Sequence, residues 1–239
     1  MKLKKNLIIS LVAILLPFAG EARNALDSNW FVQADIGGRV LLGENFALRT
    51  DIVTQSVTFA PAFAVGTWIT PNWGFRLKGE GGNLHSFPAQ TSGNLGFRQE
   101  DFYLNAHINV LWNTSSYLCL RRFSVIPYAG IGGYFRDDRG NEWDSAFNKP
   151  TSGYHAENAT GITIHGGLLL EFHLNEHIGI HFDASGVLVP NDKINRWYGG
   201  RGDGIITAAI GLTFNIGGRK PAAARASWCP YPCVGIDCN

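Results

Sequence analysis

The stretch DFYLNAHINVLWN, residues 101–113, constrains this chain more than any other. Phe102, Leu104, Ala106, Ile108, Val110 and Trp112 take every second position, with Tyr103, Asn105, His107, Asn109 and Asn113 between them. A period of two sends these sets to opposite faces of an extended strand. Seven other stretches read as strands: 29–42, 58–69, 73–84, 123–136, 159–174, 177–189 and 204–216. The stretch at 123–136 alternates weakly, and the sequence does not assign its faces. No helical periodicity competes over a comparable length.

The strands are long. Most run about 12–14 residues, against about 5–6 in soluble sheets, and a tilted strand needs about 9–11 to cross a bilayer. The connections fall into two kinds. Those at 70–72 and 175–176 are tight and that at 113–122 is moderate, whereas 43–57, 85–100, 137–158 and 190–203 are long. Tight turns on one rim and long loops on the other suit a transmembrane barrel with its loops outside the cell.

The two faces say which surface meets lipid. One carries Trp30, Val32, Ala34, Ile36 and Val40; Trp73, Phe75 and Leu77; Ile162, Ile164, Leu168, Leu170, Phe172 and Leu174; and Ile206, Ala208, Ile210, Leu212, Phe214 and Ile216, without a charge. The other carries Gln33, Asp35, Arg39, Arg76, Lys78, Glu80, His107, His165, Glu171, His173, His181, Asp183, Thr207 and Asn215. Unpaired charges in a soluble core would be costly, so the second face reads as a lumen where charges meet each other and water. The expected fold class is all-β: an eight-stranded antiparallel up-and-down transmembrane β-barrel. Trp30, Trp68, Trp73, Trp112 and Phe214 at the turn-side strand ends, and Tyr103, Tyr134 and Phe135 near the loop side, are expected to form two aromatic girdles.

Composition narrows the compartment and the partners. The net charge is +1 without a long basic run, which argues against nucleic acid. A basic start, Met1-Lys2-Leu3-Lys4-Lys5, precedes the apolar stretch NLIISLVAILLPFAG, and Gly20-Glu21-Ala22 places small residues before a cut after Ala22. Residues 1–22 therefore read as a secretory signal peptide, 23–217 as the barrel and 218–239 as a periplasmic Pro/Ala/Cys tail.

The chain resembles the eight-stranded OmpA-type outer-membrane barrels. The strand pattern over 29–216 carries the resemblance, with Asn29-Trp30-Phe31, Trp68-Ile69-Thr70-Pro71, Ile126-Pro127-Tyr128-Ala129-Gly130 and Gly211-Leu212-Thr213-Phe214 in order. It implies an abundant surface protein of the bacterial outer membrane, among lipids and lipopolysaccharide, with structural and host-contact roles. Larger members grip peptidoglycan through a C-terminal domain. Residues 217–239 are too few for one, so that contact is not expected.

Four features are candidates for chemistry. The first is HFDAS, where His181, Asp183 and Ser185 share a face. Neighbours on one face of a strand stand about 6.5–7 Å apart, too far for a nucleophile and its base. These residues read as lumen lining, and no catalytic, cofactor or metal residue is assigned. The second is a lumen charge network of Asp35, Arg39, Arg76, Lys78, Glu80, Glu171, His181 and Asp183. An eight-stranded barrel is just wide enough for side chains to fill it, so the network is expected to plug the interior. The third is Arg201-Gly202-Asp203, a cell-attachment tripeptide where the last long loop meets the last strand. The fourth is Cys119, Cys229, Cys233 and Cys238, candidates for disulfides in an oxidising periplasm, with three pairings open. The expected function is a non-enzymatic protein that supports the envelope and displays loops, in contact with a host surface. The alternatives are a small pore and an outer-membrane enzyme acting on lipid A. Oligomeric state is not legible.

Overall fold

The computed structural model describes residues 29–42, 57–70, 72–86, 99–115, 122–138, 158–190, 194 and 202–216. Nine extended segments cover them: β1 (Trp30–Leu42), β2 (Thr58–Phe59), β3 (Ala62–Trp68), β4 (Trp73–Ser86), β5 (Gln99–Trp112), β6 (Phe123–Asp138), β7 (Ala159–His173), β8 (Ile178–Val189) and β9 (Asp203–Ile216). Each pairs antiparallel with its neighbour. β1 closes the sheet on β9, from Trp30 opposite Ile216 to Leu42 opposite Gly204.

β2 and β3 share one stave, so nine segments make eight staves. Both pair with β1, Phe59 opposite Gly38 and Ala62 opposite Asp35, and between them lie Ala60 and Pro61. Proline has no N–H for the ladder and breaks what sequence alternation suggests is one strand. The ladder is bridged around it, with Ala60 N donating to Gly37 O (2.8 Å) and Gly81 N to Pro61 O (3.1 Å). On the facing stave Gly82 has φ +134°, and a β-carbon there would collide with the Phe59 carbonyl. Only glycine suits that close approach.

Short polar side chains build the tight turns. Thr70 Oγ1 accepts from Trp73 N at 2.9 Å. Asn175 Oδ1 accepts from both His177 N and Ile178 N at 2.8 Å. Such bonds let one side chain stand in for a turn's missing backbone partners.

The polarity of the barrel is inverted. Ile36, Ile131, Ile162 and Ile210 face outward, Ile162 with 71% of its surface exposed, while Arg39, Arg76 and Lys78 are no more than 1% exposed inside. Returning each large apolar side chain to an apolar medium is worth roughly 1.5–3 kcal/mol, so this exterior is built for hydrocarbon. Closure leaves no strand edge unpaired in that medium, which is what lets a sheet span a bilayer.

The sixth segment resolves the stave whose faces the sequence left open. In β6, Ser124, Ile126, Tyr128, Tyr134 and Arg136 are buried inside, while Phe123, Ala129, Ile131, Gly133 and Phe135 are exposed. The aromatic girdles need correcting. Trp73 and Trp112 do stack on the outside, with ring centroids 6.0 Å apart. Trp68, Tyr103 and Tyr134 instead point inward and are buried. Residues 1–28 and 217–239, with the expected signal peptide and tail, lie outside the described residues. So do Cys119, Cys229, Cys233 and Cys238.

Candidate functional site

The lumen is layered, not polar throughout. At the turn side, Phe31, Trp68, Leu111, Ile126, Tyr128 and Leu169 form a buried apolar cluster. Trp68 packs on Phe31 at 5.9 Å, and the Phe31 ring fills the space over Gly66, where a β-carbon would clash with it. At the loop side, Leu41, Leu84, Tyr103, Tyr134, Ala159, Val187, Val189, Ile194 and Ile205 form a second. The charges lie between these seals. This corrects the expectation of a uniformly wet, polar interior: the ends of the strands contribute apolar residues on the inward parity.

The central tier is a closed ring of polar contacts. Thr213 Oγ1 accepts from Gln33 Nε2 (3.1 Å), and Gln33 Oε1 accepts from Arg76 Nη1 (3.0 Å). Arg76 reaches Asp183 Oδ2 at 3.3 Å, and Lys78 Nζ donates to the same oxygen at 2.7 Å. Lys78 also pairs with Asp35 Oδ2 at 3.3 Å. Asp35 Oδ1 meets His181 Nε2 at 2.6 Å, and His181 Nδ1 returns to Thr213 Oγ1 at 2.9 Å. Tyr128 adds a spur, its hydroxyl donating to Asp183 Oδ1 at 2.5 Å while its ring lies 4.3 Å from the Arg76 guanidinium. The ring ties β1, β4, β8 and β9 together, and Tyr128 adds β6.

The ring balances chemically. Two carboxylates face one guanidinium and one ammonium, so the ionised groups sum to zero. A neutral His181 protonated on Nε2 donates to Asp35 and accepts the Thr213 hydroxyl proton on Nδ1. Thr213 oxygen is then free to accept from Gln33, and every ring bond has one donor and one acceptor. Burying four charges is tolerable only with such pairing.

The remaining members of the expected network sit on other tiers. Towards the loops, Arg39 Nη2 donates to Gly81 O (3.1 Å), lies 3.9 Å from Glu80 Oε2, and stands over the Tyr103 ring at 5.2 Å. Asn105 Nδ2 donates to Glu80 Oε1 at 3.3 Å. Towards the turns, Glu171 stands 3.9 Å from His173 Nε2, which meets Ser124 Oγ at 2.9 Å. The eight residues named from sequence therefore divide into a ring (Asp35, Arg76, Lys78, His181, Asp183), a loop-side pair (Arg39, Glu80) and a turn-side residue (Glu171). The sequence reading left out Gln33, Tyr128 and Thr213 as ring members.

Three further candidates are settled by position. Thr213, His181 and Asp35 stand in the order of a hydroxyl, a base and an orienting acid, on three strands. All are at most 3% exposed and closed in by the two seals, so no substrate carbonyl can approach. His107 and His165 stack with centroids 3.7 Å apart, and His165 Nδ1 meets Asn109 Oδ1 at 2.8 Å. Among the described residues, no group of three or more His, Cys, Asp or Glu is placed to hold a metal ion. Asp203 of the tripeptide corrects the adhesion reading. It is the first residue of β9, 1% exposed, and its Oδ2 accepts from Ile194 N at 2.9 Å. Its carboxylate faces inward and is engaged, so the tripeptide does not present it to a receptor; Arg201 lies outside the described residues.

Compared with protein-family models and with curated proteins, the chain matches none. Compared with solved structures, it is similar to Neisserial surface protein A, with a TM-score of 0.55 and 9% identity over 79% of this chain and 98% of that one. It is also similar to a major outer membrane protein from Thermus thermophilus, with a TM-score of 0.48 and 12% identity over 78% of this chain and 99% of that one. The fold is that of an eight-stranded outer-membrane β-barrel. At 9% identity the likeness is one of fold and not of role. In such a barrel the ring sits at mid-height, where a charge facing lipid would be least tolerated and an internal brace is best sheltered from water.

Proposed function

We propose that the protein is a non-enzymatic structural component of the bacterial outer membrane, exported by its N-terminal segment and displaying its long loops outside the cell. The observation that carries this reading is the combination of an apolar exterior with a charge-balanced ring between two apolar seals. Such an interior braces a barrel wall. It offers neither a water-filled path nor a reachable nucleophile. A pore needs a continuous lumen, and two seals stand against one. An enzyme acting on lipid A needs polar groups converging at the outer rim, whereas the hydroxyl, histidine and carboxylate here are enclosed. Lipids and lipopolysaccharide are the expected surroundings, and host contact would fall to the loops.

Folding in detergent tests the reading first. Unheated protein should migrate differently from boiled protein on a gel, and a monodisperse, detergent-free protein would overturn membrane residence. A deletion strain should keep its lipid A structure and show a weakened envelope. Altered lipid A would point to the enzyme, and large, stable single-channel conductance to the pore.

A further inference from the structure

The loop-side seal contains one residue that no strand supplies. Ile194 belongs to the connection between β8 and β9, yet it is 1% exposed and packs with Leu84, Tyr103, Tyr134, Val187, Val189 and Ile205 in the barrel mouth. Its side chain is held by apolar contact and its backbone by two buried charged groups. Arg136 Nη1 donates to Ile194 O, and Ile194 N donates to Asp203 Oδ2, both at 2.9 Å. Arg136 lies on β6 and Asp203 starts β9, so the two grips come from different walls.

We propose that Ile194 is a detachable stopper of the outer mouth, latched by Arg136 and Asp203, and that its withdrawal opens a cup and not a pore. Three observations support this. A strand residue leaves the wall only when the ladder breaks, whereas Ile194 is held by two hydrogen bonds and one side chain's burial, so it can leave alone. Arg136 and Asp203 are ionised groups at the mouth, and both gain hydration when the stopper lifts, which offsets part of the lost contact. Beneath Ile194 lie further polar atoms without a protein hydrogen-bond partner: Arg39 Nε and Nη1, Glu80 Oε2 and the Tyr103 hydroxyl. Withdrawal exposes these to the outside. The turn-side seal uses only strand residues and does not depend on Ile194, so the cup keeps its base.

Residue-resolved amide hydrogen exchange on the full chain in detergent micelles tests the latch. The Ile194 amide is expected to exchange at least tenfold faster than the β9 amides of Ile205 and Thr207, yet well below the rate of an open peptide. Arg136→Ala should speed Ile194 exchange at least tenfold and leave Ile205 and Thr207 unchanged. Should that variant fail to fold, Asp203→Ala against Asp203→Asn makes the same test, because asparagine keeps an acceptor and should retain most of the protection. Ile194 exchanging as slowly as Ile205, or the strand amides rising in step with it, would show a permanent part of the wall and overturn the proposal. So would unchanged exchange at Ile194 in the variants. Single-channel recording of the unlatched variant should show no large conductance; a stable open channel would overturn the cup.

Discussion

The two ends of the lumen are shut by different means. The turn-side seal is made of strand residues alone: Phe31 on β1, Trp68 on β3, Leu111 on β5, Ile126 and Tyr128 on β6, and Leu169 on β7. Opening it means taking the wall apart. The loop-side seal has similar strand residues but completes itself with Ile194, fixed through its backbone by Arg136 and Asp203. Both exclude water by apolar contact. They differ in what must break for water to enter: many cooperative ladder bonds at one end, a few local contacts at the other. The contrast places a rigid base towards the turns and an adjustable mouth towards the loops.

The ring between them sets the largest expected effect. Asp183 carries Arg76, Lys78 and the Tyr128 hydroxyl. Asp183→Ala leaves two cations facing Asp35 alone at full burial, and should lower unfolding stability in detergent by about 4 kcal/mol, the range for one half of a broken buried ion pair. Both ends should loosen together. A stability loss confined to loop-side amides would break the view of the ring as a brace common to both. Trp68→Ala should cost about 3 kcal/mol through lost burial and the cavity left over Phe31. It should leave Ile194 exchange unaltered relative to the β9 amides, since the two seals share no residue. Faster exchange at Ile194 alone in this variant would show that the ends are coupled.

Much of this was readable before any coordinates, and the gaps have physical causes. Parity in β1, β4, β8 and β9 places Asp35, Arg76, Lys78, Asp183 and His181 inside, because a strand has only two faces. Parity does not say which inward residues meet. Partners in the ring come from β1, β4, β8 and β9, and contact depends on registers that no single strand encodes. The β6 stave hid Tyr128 and Arg136, because Ala129 and Gly133 on its outer face and Ile126 and Tyr128 on its inner face blur the contrast that alternation needs. Tyr103 shows two signals in conflict. Its place near a strand end suggests a girdle, its parity an interior position, and parity prevails. Ile194 carried no signal at all, since a lone apolar residue in a polar loop reads as chance.

Removing a single oxygen separates the ring from the seal beside it. Tyr128 belongs to both, through its hydroxyl on Asp183 and its ring in the turn-side cluster. Tyr128→Phe keeps the ring over Arg76 and the apolar packing while losing one bond to a carboxylate. Asp183 retains Arg76 and Lys78, so the expected loss in unfolding stability is about 1.5 kcal/mol, the low end for a hydrogen bond to a charged group. A loss as large as that of Trp68→Ala would mean the hydroxyl holds the seal in place, and the ring and seal could not be treated as separate layers.

The smallest effect should come from the mouth, and its smallness is the point. Ile194→Gly removes the side chain that completes the loop-side seal. Were that seal built like the other, the loss would match a buried isoleucine deletion, about 2–5 kcal/mol. A stopper that already leaves by local opening contributes little to the cooperative unfolding of the wall, because the barrel that unfolds is the open one. Global stability in Ile194→Gly should therefore fall by less than about 1 kcal/mol. Exchange at the β9 amides should stay unchanged while Tyr103 and Tyr134 become reachable by an aqueous quencher of tyrosine fluorescence. A loss above about 2 kcal/mol would place Ile194 among the fixed members of the wall and erase the difference between the two ends.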